Sequence, residues 1–251
     1  MDVRDSANPV VVSASRRLAV INARHPWNHN EHFHGWILRN LPDRRRVAVD
    51  VGCGTGVLAG KLAARFARVT AIDADAAMAA AASARLAGQP GVAVRHCRFE
   101  QFAAAAADSD GDADGDGDGA ADLITMVASL HHLGLHDTLA RIPALLAPGG
   151  RLLVVDLARP DSLPDLAADL ASAAANPVMG LIKHPRRARP AGEPAAGQSA
   201  MPAMPAMPAM PVRDPTTTLA EISAAARARL PGAAVRRRLF FRYTLRWDKP
   251  G

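Results

Sequence analysis

Val47-Ala-Val-Asp50-Val-Gly52-Cys-Gly54-Thr-Gly56 runs an apolar, β-branched segment straight into three alternating glycines. The segment reads as a parallel strand buried on both faces, for which a near-continuous apolar run is the signature. The glycines let the chain turn tightly and approach a ligand with no Cβ in the way. Val57–Phe66 then carries apolar residues at helical spacing, so the loop feeds a helix N-terminus. Strand, glycine turn and helix make the first half of a nucleotide-binding unit.

Downstream the same rhythm repeats. Arg68–Asp73 is a short strand ending in a carboxylate 17 residues after Gly56, the length of one helix and a return strand. An acidic side chain there can accept both hydrogen bonds of a ribose diol; it can also N-cap the helix expected over Ala76–Leu86. Gly88-Gln-Pro-Gly91 turns the chain into a third strand, Val92–Arg95. Asp122–Ser129 is a fourth, leading directly into Leu130-His131-His132-Leu133. Histidines just outside the carboxyl end of a parallel strand stand where such sheets bind ligands. Asp137–Leu146 reads as a helix despite Pro143, and Ala147-Pro148-Gly149-Gly150 turns into a fifth strand, Arg151–Asp156. Strands alternating with helices predict an α/β fold around a doubly wound parallel sheet.

The flanks are less regular. Residues 1–15 read as weakly ordered, and Arg16–Leu41 holds His25, His29, His32 and His34 within ten residues. His32 and His34 would face different sides of a helix, and no cysteine or carboxylate cluster completes a metal set, so none is assigned. Two readings stay open. The segment is an amphipathic helix over the domain with Phe33, Trp36, Ile37 and Leu41 on its apolar side, or a lid in which Trp27, Asn28, His29 and Phe33 line a substrate entrance. Beyond the fifth strand, Leu163–Ala175 can be helical, and Asn176-Pro177 is expected to break it. A short apolar piece opens onto Arg186, Arg187 and Arg189, and four Ala-Met-Pro triplets span 200–211. Thr216-Thr-Thr-Leu219 with Glu221 caps a helix to about Leu230, and Ala234–Leu239 and Tyr243–Asp248 read as two antiparallel strands. The expected organisation is an N-terminal tail and helical cap over 1–45, a core over 46–158, a helical insert and Pro/Met-rich linker over 159–213, and a closing helix and two strands over 214–251.

Composition sets bounds. The chain has 251 residues, 49% of them hydrophobic, enough for one large α/β domain. No stretch approaches the ~20 apolar residues of a membrane span, and no leader precedes the first charged residues, so a cytoplasmic setting is expected. Cys53 and Cys97 fit neither a disulfide framework nor zinc spacing and are read as free thiols. The net charge is +6 although residues 108–118 hold six aspartates in a low-complexity loop. In that loop Asp110, Asp112, Asp114 and Gly115 match the start of a calcium loop, but position 12 is Ala121 rather than a bidentate glutamate. Basicity permits anionic partners without requiring nucleic acid.

Taken together, Asp50-Val-Gly52-Cys-Gly54-Thr-Gly56, Asp73, Asp122 to Leu133 and Leu146-Ala-Pro148-Gly149-Gly150 resemble the class I S-adenosylmethionine-dependent methyltransferases. The resemblance implies a Rossmann-like seven-stranded sheet, mostly parallel, with an antiparallel last strand inserted near one edge. It implies that Gly52, Cys53, Gly54 and Gly56 form the loop beneath the methionine portion of S-adenosyl-L-methionine, with Asp50 holding its ammonium group and Asp73 its ribose. Ala74 and Phe99 would border adenine, and Val127 would face the methionine end. The family commonly carries an aspartate on the third-strand loop for the adenine amino group; Arg98 stands here, with Glu100 nearby. His131, then His132, are the candidate bases. The Asn/Asp-Pro-Pro-Tyr/Phe signature of many amino-group methylating enzymes is absent, Ser129-Leu130-His131-His132 standing in its place. That favours a small-molecule acceptor over a nucleic-acid base. RNA or protein methylation, drawing on Arg186–Arg189 and Arg236–Arg238, and a non-catalytic regulatory protein that binds the cofactor remain the alternatives. A dehydrogenase would need glycine where Val57 stands.

Overall fold

The computed structural model of the protein describes residues 28–108, 120–183 and 215–251. Trp27, most of the acidic loop, Arg186–Arg189 and the Ala-Met-Pro triplets lie outside the described residues. In chain order the elements are α1 (His29–Arg39), β1 (Val47–Val51), α2 (Val57–Ala63), β2 (Arg68–Asp73), α3 (Ala76–Leu86), β3 (Val92–His96), α4 (Phe99–Asp108) and β4 (Ala121–Val127). A 3-10 turn (Leu130–His132), α5 (Leu135–Leu145), β5 (Leu146–Asp156), α6 (Leu163–Lys183), α7 (Leu219–Arg229), β6 (Ala234–Arg237) and β7 (Tyr243–Asp248) complete it.

The seven strands form one sheet in the order β3-β2-β1-β4-β5-β7-β6. β1 to β5 run parallel, and β7 lies antiparallel between β5 and β6. The expected Rossmann-like architecture is therefore present, with β7 as the inserted antiparallel strand. Alternation along the strands sends Val47, Val49 and Val51 to one face, against Phe102, Ile142 and Ile222 of α4, α5 and α7. Ala48, Leu153 and Val155 face the other side, against Ile37, Leu62 and Leu86 of α1, α2 and α3. Burial on both faces is why these strands carry almost no polar residues.

Four local readings are revised. Asp73 does not cap α3; Asp75 does, accepting from the amides of Ala77 and Met78 at 2.8 and 3.0 Å. Asn176-Pro177 does not end α6, which continues to Lys183. A proline removes one helical hydrogen bond and crowds one carbonyl, a local cost that anchoring contacts in the preceding turns can offset. Those contacts are Ser172 with Phe240 and Asn176 with His29. The Ala147–Gly150 stretch is part of β5 rather than a separate turn, with an irregular register opposite Ala121–Leu123. β6 stops at Arg237, two residues short of the expected end. α7 keeps its expected cap, a reciprocal box between Thr218 and Glu221. Among the described residues no helix is long and apolar enough to cross a membrane.

Asp122, fully buried at the start of β4, is the polar anchor of the sheet's amino edge. It takes hydrogen bonds from the amides of Arg46 and Val47 at 2.7 and 3.2 Å and from the Arg44 guanidinium at 2.5 Å. Asp122→Ala would leave two amides unpaired and is expected to cost about 2–4 kcal/mol, read as a lower urea midpoint at unchanged slope. A loss under about 0.5 kcal/mol, the size of an ordinary surface substitution, would show that these bonds do not hold the edge.

Candidate active site

Strand order reverses beside β1, where β2 lies on one side and β4 on the other. The carboxyl ends of β1 and β4 thus flank the crevice in which open α/β sheets bind ligands. The register pairs Asp50 with Thr125 across that gap, and Thr125 Oγ1 donates to Asp50 Oδ1 at 2.7 Å. Asp50 is only 2% exposed, and among the described residues its Oδ2 has no partner of hydrogen-bonding geometry. Burial pushes this carboxyl up to about 6; the Asp73 charge adds to the rise, while Thr125 and the nearby Ala59 amide oppose it. A buried carboxylate with an unused oxygen suits a cationic donor group.

The glycine loop is shaped by its neighbours. Gly52 has φ +68°, and a Cβ there would lie 2.4 Å from the Ser129 Cβ. Ser129 cannot withdraw freely, since its hydroxyl donates to Val51 O at 2.8 Å. Gly54 donates its amide to Asp73 Oδ2 at 2.8 Å, and Asp75 donates to the other oxygen at 2.9 Å. Asp73 therefore ties the loop after β1 to the turn after β2, while each of its oxygens keeps a second lone pair for a ligand. Gly56, also left-handed, opens α2. Cys53 is buried in the loop, and burial with the nearby Asp50 and Asp73 charges raises its thiol far above the ordinary range. It is an inert packing residue.

Ala74 is exposed beside Asp73, and its carbonyl accepts from His96 Nε2 at 3.2 Å. Phe99 opens α4 but turns into the core, 3% exposed, with Val51 and Ile72 in the same cluster. Val127 ends β4 half-buried, and Ala128 after it adopts φ +52°. A non-glycine residue in that region is strained, and strain of this kind collects at ligand-binding turns.

Across the crevice stands a pair of groups. Asp156, the fully buried last residue of β5, accepts from His131 Nδ1 at 2.5 Å and from the His131 amide at 2.9 Å. The Leu157 amide adds a third bond at 2.7 Å. Because Nδ1 carries the hydrogen toward the carboxylate, the lone pair resides on Nε2. His132 is exposed, its ring 4.0 Å from that of His131. Arg242 and Tyr243 enter β7 beside Asp156, since β5 and β7 pair Asp156 with Tyr243.

α1 and α6 join at this edge. His29 Nε2 lies 2.8 Å from Asn176 Oδ1, and burial lowers the His29 pKa, with Asn176 opposing and Arg242 adding to the fall. The His32 ring packs edge-on to Phe240 at 5.3 Å. Phe33 points away into the core with Ile37 and Leu58, so its place is on the helix's apolar side. His34 is buried against Lys61, 3.0 Å away, and burial reinforced by that charge lowers it to about 4. Sequence reading overlooked Asp156, Arg242, Asn176 and Thr125. Asp156 alone left a signal there, a carboxylate closing a parallel strand.

Asp50 makes a pH prediction. Its folded pKa lies above the unfolded value of 3.8, so the stabilisation it gives is full below about pH 4 and is lost as pH rises through about 6. The ligand-free protein should lose roughly 3 kcal/mol from this group across that window. Asp50→Asn should remove that part of the dependence, as measured by urea unfolding from pH 4 to 7. Parallel profiles for the two proteins would refute the buried, proton-holding carboxyl.

Comparison with known proteins points the same way. Residues 49–152 match the methyltransferase domain family. An uncharacterized methyltransferase of Mycobacterium tuberculosis is 31% identical over 231 residues, spanning 90% of this chain and 98% of that one. Among solved structures, the N-methyltransferase NodS of Bradyrhizobium japonicum, in complex with S-adenosyl-L-homocysteine, superposes with TM-score 0.50 at 15% identity, covering 95% of this chain and 98% of that one. A putative methyltransferase of Pseudomonas syringae does so with TM-score 0.50 at 17% identity, over 88% and 99%. The solved structures establish the fold and the mycobacterial relative the family: this chain belongs to the methyltransferases.

Proposed function

We propose that the protein binds S-adenosylmethionine through the loops after β1 and β2 and transfers its methyl group to a small-molecule acceptor deprotonated by His131. The observation that carries this reading is the 2.5 Å bond between His131 Nδ1 and the buried Asp156 at the crevice that also holds Asp50. Asp50 Oδ2 would take the ammonium group, Asp73 the ribose diol, and Gly52, Cys53, Gly54 and Gly56 the close backbone approach. Ala74 and Phe99 would border adenine, Phe99 by the edge it keeps at the start of α4, and Val127 the methionine end. The bound cofactor supplies a methyl group already activated on a sulfonium, so the breaking carbon–sulfur bond leaves its electron pair on a neutral thioether.

The chain supplies geometry and a base. Holding the acceptor atom in line is the larger contribution. As that atom bonds the methyl carbon, its proton passes to His131 Nε2, and Asp156 stabilises the imidazolium. His132, more exposed, is the second candidate. His29 stands at the acceptor side with Asn30 and Asn176; Trp27 belongs to the same proposal from sequence alone. Within the tail cluster Arg237 is paired with Asp165 at 2.5 Å and Arg238 donates to Thr244 at 3.1 Å, while Arg236 is exposed.

Calorimetry with S-adenosylhomocysteine tests the cofactor half. Protonation of Asp50 should weaken binding about tenfold for each pH unit below about 6, and Asp50→Asn should bind weakly at every pH. Affinity equal in both proteins would remove Asp50 from the site. With an acceptor found by homocysteine-nucleoside release across a panel of hydroxy acids, phenols and amines, His131→Ala should lower kcat about 10²–10⁴-fold at unchanged cofactor affinity. Undiminished turnover would exclude His131 as the base.

A further inference from the structure

Arg242 is a strong cation near the Asp156 carboxylate that binds His131, and its hydrogen-bonding capacity is not used up among the described residues. Its Nη2 donates to Asn30 Oδ1 at 2.8 Å, which latches the first turn of α1 to the start of β7. Its Nε is buried and, among the described residues, has no hydrogen-bond partner. Asp156 is close enough to act on it electrostatically, but that carboxylate already receives three N–H groups from His131 and Leu157. Burial holds the guanidinium below its usual range, with Asp156 opposing. A buried charge with an idle donor costs free energy that a matching anion would recover.

The backbone is bent to put it there. β7 runs antiparallel to β5, so its first residues rather than its last reach the carboxyl edge where the parallel strands end. Just before it, Phe240 and Phe241 both take left-handed φ of +62° and +60°, each at a cost on the order of 1–3 kcal/mol. Ser172 of α6 holds the turn by accepting the Phe240 amide at 2.7 Å. Two strained aromatic residues in succession, secured by a neighbouring helix, deliver Arg242 to the histidine side of the crevice.

We infer that Arg242 binds a carboxylate on the acceptor, so that the enzyme methylates a small acid at an atom near that carboxylate. This rests on the reading of the His131–Asp156 edge as the acceptor side. A guanidinium offers a planar fork that matches a carboxylate in two parallel bonds, which an ammonium cannot do. Around it stand His29 on α1, His131 and His132 after β4, and the Asp156 carboxylate, whose oxygens are occupied by three N–H donors. A carboxylate would pair with the idle Arg242 donor, while a neutral isostere offers that donor no charge.

The test uses the whole protein saturated with S-adenosylhomocysteine and small probes that fit any carboxylate site. In nitrogen-15 spectra, the Arg242 Nε–H signal, assigned by its loss in Arg242→Gln, should move downfield and saturably with formate and acetate. It should not move with formamide, acetamide or chloride at equal ionic strength. Arg242→Lys should weaken acetate binding about tenfold, read at the His131 ring signals. No movement with formate, or equal movement with acetamide, overturns the inference while leaving the methyltransferase reading intact. Failure of the unsubstituted protein to bind S-adenosylhomocysteine overturns both.

Discussion

The parallel pairing of β1 with β4 sets the centre of the carboxyl edge. It brings Thr125 opposite Asp50, so that one carboxylate oxygen is bound and the other left over in a buried setting. It also makes β1 the point where the strand order reverses, which keeps helices from closing the crevice above. The Gly52 turn follows from the same pairing, because Ser129 after β4 lies where any side chain at position 52 would stand.

Two halves of different chemistry meet over this pairing. On the β2 side, Asp50 and Asp73 make an acidic cradle, which the proposed function fills with a cationic, hydroxyl-rich ligand. On the β5 side, Asp156 is consumed by backbone amides and His131, leaving imidazole and guanidinium groups facing the crevice. In the proposed reading, a positive cofactor end would lie beside Asp50 and an acidic acceptor beside Arg242. The antiparallel β7 makes the second half possible, since only a strand starting at this edge could place Arg242 there.

The amino-terminal helix is the amphipathic covering helix that its sequence offers as one reading. Phe33, Ile37 and Leu41 bury its apolar stripe, as an amphipathic covering helix requires, while His29, Asn30 and His32 turn toward Asn176, Arg242 and Phe240. One helix therefore packs the core with one face and borders the crevice with its first turn. In the proposed reading, the lining role falls to His29 and its neighbours, because Phe33 is turned into the core.

Local pattern alone determined the order of the strands and of the helices other than α4, the glycine turn, the carboxylates at positions 50 and 73, and the histidines after β4. Each of these is a short-range signal: an apolar run, a glycine spacing, a polar residue closing a strand. Tertiary structure decided which carboxylate is idle, which histidine gains a buried partner and where Arg242 points. Those depend on register and strand direction between segments up to about a hundred residues apart, such as Thr125 against Asp50, Asp156 against His131 and Tyr243 against Asp156. Continuation of α6 through Pro177 is of the same kind, because contacts with His29 and Phe240 offset a cost that local propensity counts in full. No spacing rule encodes such pairings; they exist only when the sheet has formed.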